Sequence, residues 1–175
     1  MKINMTEYRP EYQPHFERLN RAWLEEFFSV EPVDRWVLEH PDEAILQKGG
    51  RVFFAVLGQK IIGTVALRWL SPGVLELTKM TVDKNYRGLG AGKSLCRHAI
   101  QQARLMNAVR LVLYSQTVLE AALHIYRQCG FHDIPLEKGI YKRADVMMEY
   151  PLSRGADANA PAENPLEQEF AASLR

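Results

Sequence analysis

The sequence predicts a mixed α/β (α+β) fold: a mostly antiparallel sheet of about six or seven strands, flanked by helices. Three observations predict it. Two β-rich runs, Val52 to Val56 and Ile61 to Trp69, are joined only by Leu57-Gly58-Gln59-Lys60, the spacing of a hairpin. A third extended run, Val74 to Val82, feeds the glycine-rich stretch Tyr86-Arg87-Gly88-Leu89-Gly90-Ala91-Gly92-Lys93-Ser94, which opens a helical pattern from Leu95 to Met106. The next extended run, Val109 to Tyr114, then returns parallel to the strand before the glycines, because a strand–helix–strand unit is a crossover.

The remaining elements follow in order. Ile3 to Arg9 reads as a first strand. Pro14 to Phe28 repeats Phe16, Leu19, Trp23 and Phe27 at helical spacing, an amphipathic helix. Pro32 opens a short helix, Val33 to Glu39, which ends before Pro41 because the residue preceding a proline avoids the helical region. Gly49-Gly50 and Ser71-Pro72-Gly73 are turns. Thr117-Val118-Leu119-Glu120 has the spacing of a capping box. It starts a helix through Leu119, Ala122, Leu123 and Tyr126, closed by Gly130. The last strands are expected at Ile140 to Tyr141 and Asp145 to Leu152. One domain therefore fills residues 1–153. From Arg154 the chain turns small and polar, a linker, and then Asn164-Pro165-Leu166-Glu167 gives a helix-start signal. The tail 154–175 is either frayed or a short docked helix.

With 175 residues, 47% of them hydrophobic, the chain can bury one sizeable core. A net charge of +1 gives no electrostatic footprint for nucleic acid. No apolar run is long enough for a membrane span, and Met1 to Glu7 has no signal-peptide core. The five histidines show no metal-ligand spacing, so no metal is expected. Cys96 and Cys129 are expected as reduced core thiols. These features indicate a cytoplasmic protein, monomer or homodimer.

A glycine-rich turn at a helix start is a place to hold phosphate, since the glycines admit close approach and the first N–H groups are free. Gly92-Lys93-Ser94 invites comparison with a nucleotide-binding P-loop, but the required glycine five positions earlier is Arg87. The strand that follows ends in Tyr114-Ser115, with no carboxylate for magnesium. The dinucleotide fingerprint fails as well, because its third glycine falls on Lys93.

Arg87-x-x-Gly90-x-Gly92 resembles the pyrophosphate signature of the GNAT superfamily, the acetyl-CoA-dependent N-acetyltransferases. The resemblance extends from about Ile3 to Leu152 and includes Ala122-Leu123-His124-Ile125-Tyr126 with Gly130-Phe131. It implies strands that splay apart at the centre of the sheet, with acetyl-CoA as cosubstrate in the gap. Met80, Thr81 and Val82 would pair with its pantetheine amides. Arg87, Gly88, Leu89, Gly90, Ala91, Gly92, Lys93 and Ser94 would hold its pyrophosphate, mainly through backbone N–H groups. The Arg87 side chain would either join them or brace the loop.

The implied reaction is acetyl transfer to a primary amine by direct attack, which needs no protein nucleophile. Tyr126 matches the family's general acid, and a phenol suits protonation of a leaving thiolate. Its alternative is a core tyrosine. Val82 N–H is the expected donor to the thioester carbonyl. Glu76 stands where some members place a catalytic glutamate, and is either that base or a surface residue. His124 is a weaker alternative. Strand alternation puts Glu76, Thr78, Met80 and Val82 on one face. The acceptor is expected among Phe27, Phe28, Trp36, Tyr141, Arg143 and Asp145, the aromatic and charged residues of the N-terminal helices and last strands. A non-catalytic acyl-CoA sensor of the same fold is the competing reading.

Overall fold

The computed structural model describes residues 2–137 and 141–152. Seven strands form one sheet in the order β1-β2-β3-β4-β5-β7-β6. They are β1 Ile3–Glu7, β2 Arg51–Leu57, β3 Lys60–Ser71, β4 Val74–Val82, β5 Arg110–Ser115, β6 His132–Ile134 and β7 Val146–Pro151. The helices are α1 Gln13–Phe27, α2 Pro32–Glu39, α3 Ala91–Leu105 and α4 Glu120–Cys129. All neighbouring strands are antiparallel except β4 and β5.

Alternation along the strands builds two cores from one sheet. Phe53 and Phe54 are consecutive and buried, so they face opposite sides. Phe53 joins Leu75, Leu77, Leu95, Ile100 and Leu123 beneath α3 and α4. Phe54 joins Phe16, Leu24, Leu38 and Ala66 beneath α1 and α2. The hairpin β2–β3 turns through Gly58 and Gln59, with Gly58 at φ 62°.

Two features of β4 create the functional geometry. Its parallel pairing with β5 covers only Val74–Glu76 against Arg110–Val112, and β4 then runs on alone to Val82 on that edge. The second feature is a bulge: Ala66 pairs with Thr78 and Thr64 with Thr81, so two steps on β3 oppose three on β4. Lys79, inside it, has φ 52°, in the left-handed region. The bulge overturns the expected alternation. Glu76 and Thr78 keep one face, while Met80 and Val82 cross to the core of Leu75 and Leu77.

Other expectations are corrected. Thr117 does not cap α4, whose N-cap is Leu119 without a side-chain cap bond. The Thr117 hydroxyl instead donates to Asp145 Oδ2 at 2.8 Å, tying the chain to the start of β7. The expected strand at Ile140 to Tyr141 does not form at Tyr141, and Ile140 lies outside the described residues. The outer partner of β7 is β6, which pairs His132 with Glu149 and Ile134 with Met147 immediately after Gly130 closes α4. Three residues, two of them exposed and polar, leave little periodic signal. α3 begins four residues earlier than Leu95, taking the glycine segment into its first turn. Cys96 and Cys129 are free thiols, as expected, with Cys96 buried in the core under α3 and Cys129 partly buried against it on α4. The tail beyond Leu152 lies outside the described residues.

Candidate active site

Where β4 and β5 part, the structure holds a cleft of about 460 Å³. α1, α2, β3, β4, β5, α4 and the segment 141–144 all contribute to its wall. Glu76 and Tyr126 both line it.

Glu76 is only 2% exposed, so its reading as a surface residue is excluded. Its carboxylate accepts from Arg68 Nη2 at 2.8 Å and Nε at 3.2 Å. The Tyr141 hydroxyl donates to the same carboxylate, 2.8 Å from Oε1 and 3.0 Å from Oε2. Arg68 Nη2 also donates to the Tyr141 oxygen at 2.8 Å. Burial opposes the Arg68 cation most strongly, but the charge and hydrogen bond of Glu76, together with Tyr141 and Tyr114, outweigh it and hold the guanidinium above its ordinary value. Burial and the same carboxylate push the Tyr141 phenol up. Arg68 was missed by the sequence reading. It stands directly across the β3–β4 hairpin from Glu76, but the register shifts between Trp69 and Ser71, so counting outward from the Ser71-Pro72-Gly73 turn would have set Trp69 there instead.

Tyr126 is 7% exposed, with its ring edge-on to Phe131 at 5.9 Å. Burial and then the nearby Cys96 push its phenol well up, so the hydroxyl is a proton donor and not an anion at neutral pH. Its neighbours in sequence give it this position: Leu123 packs into the core one turn before it, and Gly130, at φ 107°, turns the chain so that Phe131 packs against it.

The glycine segment lies at the far end of the split. Gly88 and Gly90 have φ 81° and 85°, and a Cβ at either would meet nothing within 4 Å. The turn is therefore open toward solvent and precedes a fifteen-residue helix, whose first N–H groups and dipole favour an anion. A Cβ at Gly92 would lie 2.9 Å from Ile125 Cδ1 and 3.9 Å from Val82 Cγ2. The first turn of α3 thus rests between the end of β4 and the residue before Tyr126. Leu89 is exposed, Ala91 is buried, and Lys93 and Ser94 are half-buried. The Arg87 guanidinium is bidentate to Glu26 of α1, at 2.9 and 2.7 Å, so its side chain braces the loop. These residues fit a diphosphate held by backbone N–H groups.

Of the expected acceptor residues, Phe28, Tyr141 and Arg143 line the cleft. Arg143 donates to Asp34 Oδ2 at 2.7 Å, lies 3.8 Å from Glu31, and sits over the Phe28 ring at 5.4 Å. Trp36 stands apart, exposed and stacked on His40 at 5.5 Å. Phe27 is exposed against Trp23 and Phe28. Asp145 is held by Thr117 and not by Arg143. His124 is exposed on α4 and does not line the cleft.

A mixed sheet that splits beside a glycine-rich helix start has the architecture of the acyl-CoA N-acyltransferase folds. Residues 4–131 match the family model described as the acetyltransferase (GNAT) family, and the chain belongs to that family. Among curated relatives, N-acetylaspartate synthetase of Xenopus tropicalis is 38% identical over 89 residues, 50% of this chain and 33% of the synthetase. Streptothricin acetyltransferase of Streptomyces lavendulae is 33% identical over 78 residues, 45% of this chain and 41% of that enzyme. The chain thus spans well under half the length of these relatives. A solved GNAT-family acetyltransferase from Staphylococcus aureus Mu50 superposes with a TM-score of 0.77 at 25% identity, covering 87% of this chain and all of that one. A phosphinothricin acetyltransferase from Sinorhizobium meliloti, solved with acetyl-CoA, shares the fold with a TM-score of 0.76 at 16% identity, covering 94% and 95%. No helix among the described residues is long and apolar enough to cross a membrane.

Proposed function

We propose that this chain is an N-acetyltransferase that moves an acetyl group from acetyl-CoA to a primary amine by direct attack in a ternary complex. The observation that carries the reading is the placement of Tyr126 and Glu76 on one cleft at the β4–β5 split. Acetyl-CoA, when bound, supplies the activated acetyl thioester. The backbone from Arg87 to Ser94 holds its pyrophosphate, and the unpaired edge of β4 at Met80, Thr81 and Val82 pairs with its pantetheine amides. The Val82 N–H is the donor to the developing oxyanion. Glu76 accepts the proton of the attacking amine, directly or through one water, with Arg68 and Tyr141 fixing its orientation. The Tyr126 hydroxyl gives its proton to the departing thiolate.

Thiol release from acetyl-CoA over a panel of amines tests the proposal. Release with one or more amines, and little without them, is expected. Tight acetyl-CoA binding with no release on any amine would make the chain a sensor instead.

A further inference from the structure

The charges of the cleft do not cancel. Arg68 is committed to Glu76, and Arg143 to Asp34 with Glu31 beside it. Lys79 also lines the cleft, yet no carboxylate among the described residues lies within 4 Å of its ammonium. Lys79 is half-buried, and a cation partly withdrawn from water without a paired carboxylate is unfavourable unless a ligand completes it. Burial pushes the Lys79 amine below its ordinary value; Asp34 and Glu76 oppose that shift from a distance, and Arg143 and Arg68 add to it. The backbone tells the same story. Lys79 has φ 52°, a conformation that Asn or Gly adopts more readily. Strain of this kind persists where the surroundings over-determine it, and it gathers at ligand sites.

We propose that Lys79 anchors a carboxylate on the acceptor, so that the acceptor is an amine that carries a carboxylate, as a free amino acid does. The amine end of this assignment rests on the acetyltransferase reading above, with Glu76 as proton acceptor. The acid end rests on Lys79 itself. The two residues are three positions apart on β4, a span of about 10 Å in extended backbone, which the bulge shortens. One small zwitterion can therefore present its ammonium to Glu76 and its carboxylate to Lys79. Lys142, exposed at the same mouth, adds positive charge to the entrance.

The test pairs acids with their carboxamides: L-aspartate, L-phenylalanine and β-alanine against L-aspartic diamide, L-phenylalaninamide and β-alaninamide. kcat/KM is expected to favour at least one acid over its amide by about tenfold or more. Lys79→Asn, which removes the ammonium but suits the left-handed backbone, should abolish that preference by lowering the acid and sparing the amide. Lys79→Arg should restore part of it. Calorimetric binding of the N-acetylated acids and amides to the full chain repeats the comparison without turnover. Binding preference without any acetyl transfer would keep the subsite and remove the acetyltransferase reading. Equal handling of acid and amide by the parent protein, no binding of any acid, or a preference that survives Lys79→Asn would overturn the subsite.

Discussion

Burial decides what the Tyr126 hydroxyl can do: a phenol held above its ordinary range donates a proton and does not accept one. Tyr126→Phe is accordingly expected to lower kcat about 100-fold or more, with acetyl-CoA affinity kept, as steady-state kinetics and calorimetry would read. A phenylalanine that turns over normally would return Tyr126 to a packing role. The glycines separate in the same way. Gly90 has φ 85° at the N-cap of α3, so Gly90→Ala should cost about 1–2 kcal/mol of stability and weaken acetyl-CoA binding. Gly92 instead faces the mobile tip of Ile125, so Gly92→Ala should shift the melting temperature little. Arg87→Ala should weaken acetyl-CoA binding less than Gly90→Ala, because the guanidinium is already held by Glu26. At this scale the sequence was half legible. Tyr126 and Glu76 could be picked out because a family pattern marks them. Arg68 and Lys79 could not, since one acts through cross-strand register and the other through a bulge, and neither leaves a motif.

Register and pairing length, more than residue identity, make the site at the scale of elements. A β4 that paired fully with β5 would have no free edge, and the split begins after only three paired residues. Strand periodicity predicted β4 correctly and its faces wrongly. The pattern Leu75, Leu77 shows the first half, but an extra residue at Lys79 reverses the second, and no polar–apolar alternation announces a bulge. β6 and the tie between Thr117 and Asp145 escaped for a related reason: short contacts between distant segments leave no periodic signal. The union of α2 with the 141–144 segment is testable. Asp34 is 7% exposed and bonded to Arg143, while also accepting from Glu31 N at 3.0 Å. Arg143→Ala should destabilise the fold by about 1–3 kcal/mol in denaturant unfolding, and more than Trp36→Ala, whose side chain is largely exposed.

The described residues form one sheet with a core on each face, and their acid sensitivity follows from ion pairs within α1 and between α1 and the glycine loop. Glu26 is held below its ordinary value of 4.5 by its bonds from Arg87, and Glu17 by Arg21 and then Gln13. For a carboxylate with a depressed folded value, the stabilisation is present above about pH 4.5 and lost as pH falls through the folded value. The melting temperature should therefore fall on acidification below that point, and Glu26→Gln should make the fall smaller. Ligand binding acts on the same quantity: saturating acetyl-CoA at 100 times its Kd should stabilise the fold by about 2.7 kcal/mol, whereas ATP with magnesium should not. The most direct measurement of the central claim is thiol release from acetyl-CoA, followed in the presence of an amine panel and alongside calorimetric binding of acetyl-CoA. The account predicts binding together with amine-dependent release that Tyr126→Phe suppresses. Binding without release on any amine would contradict it.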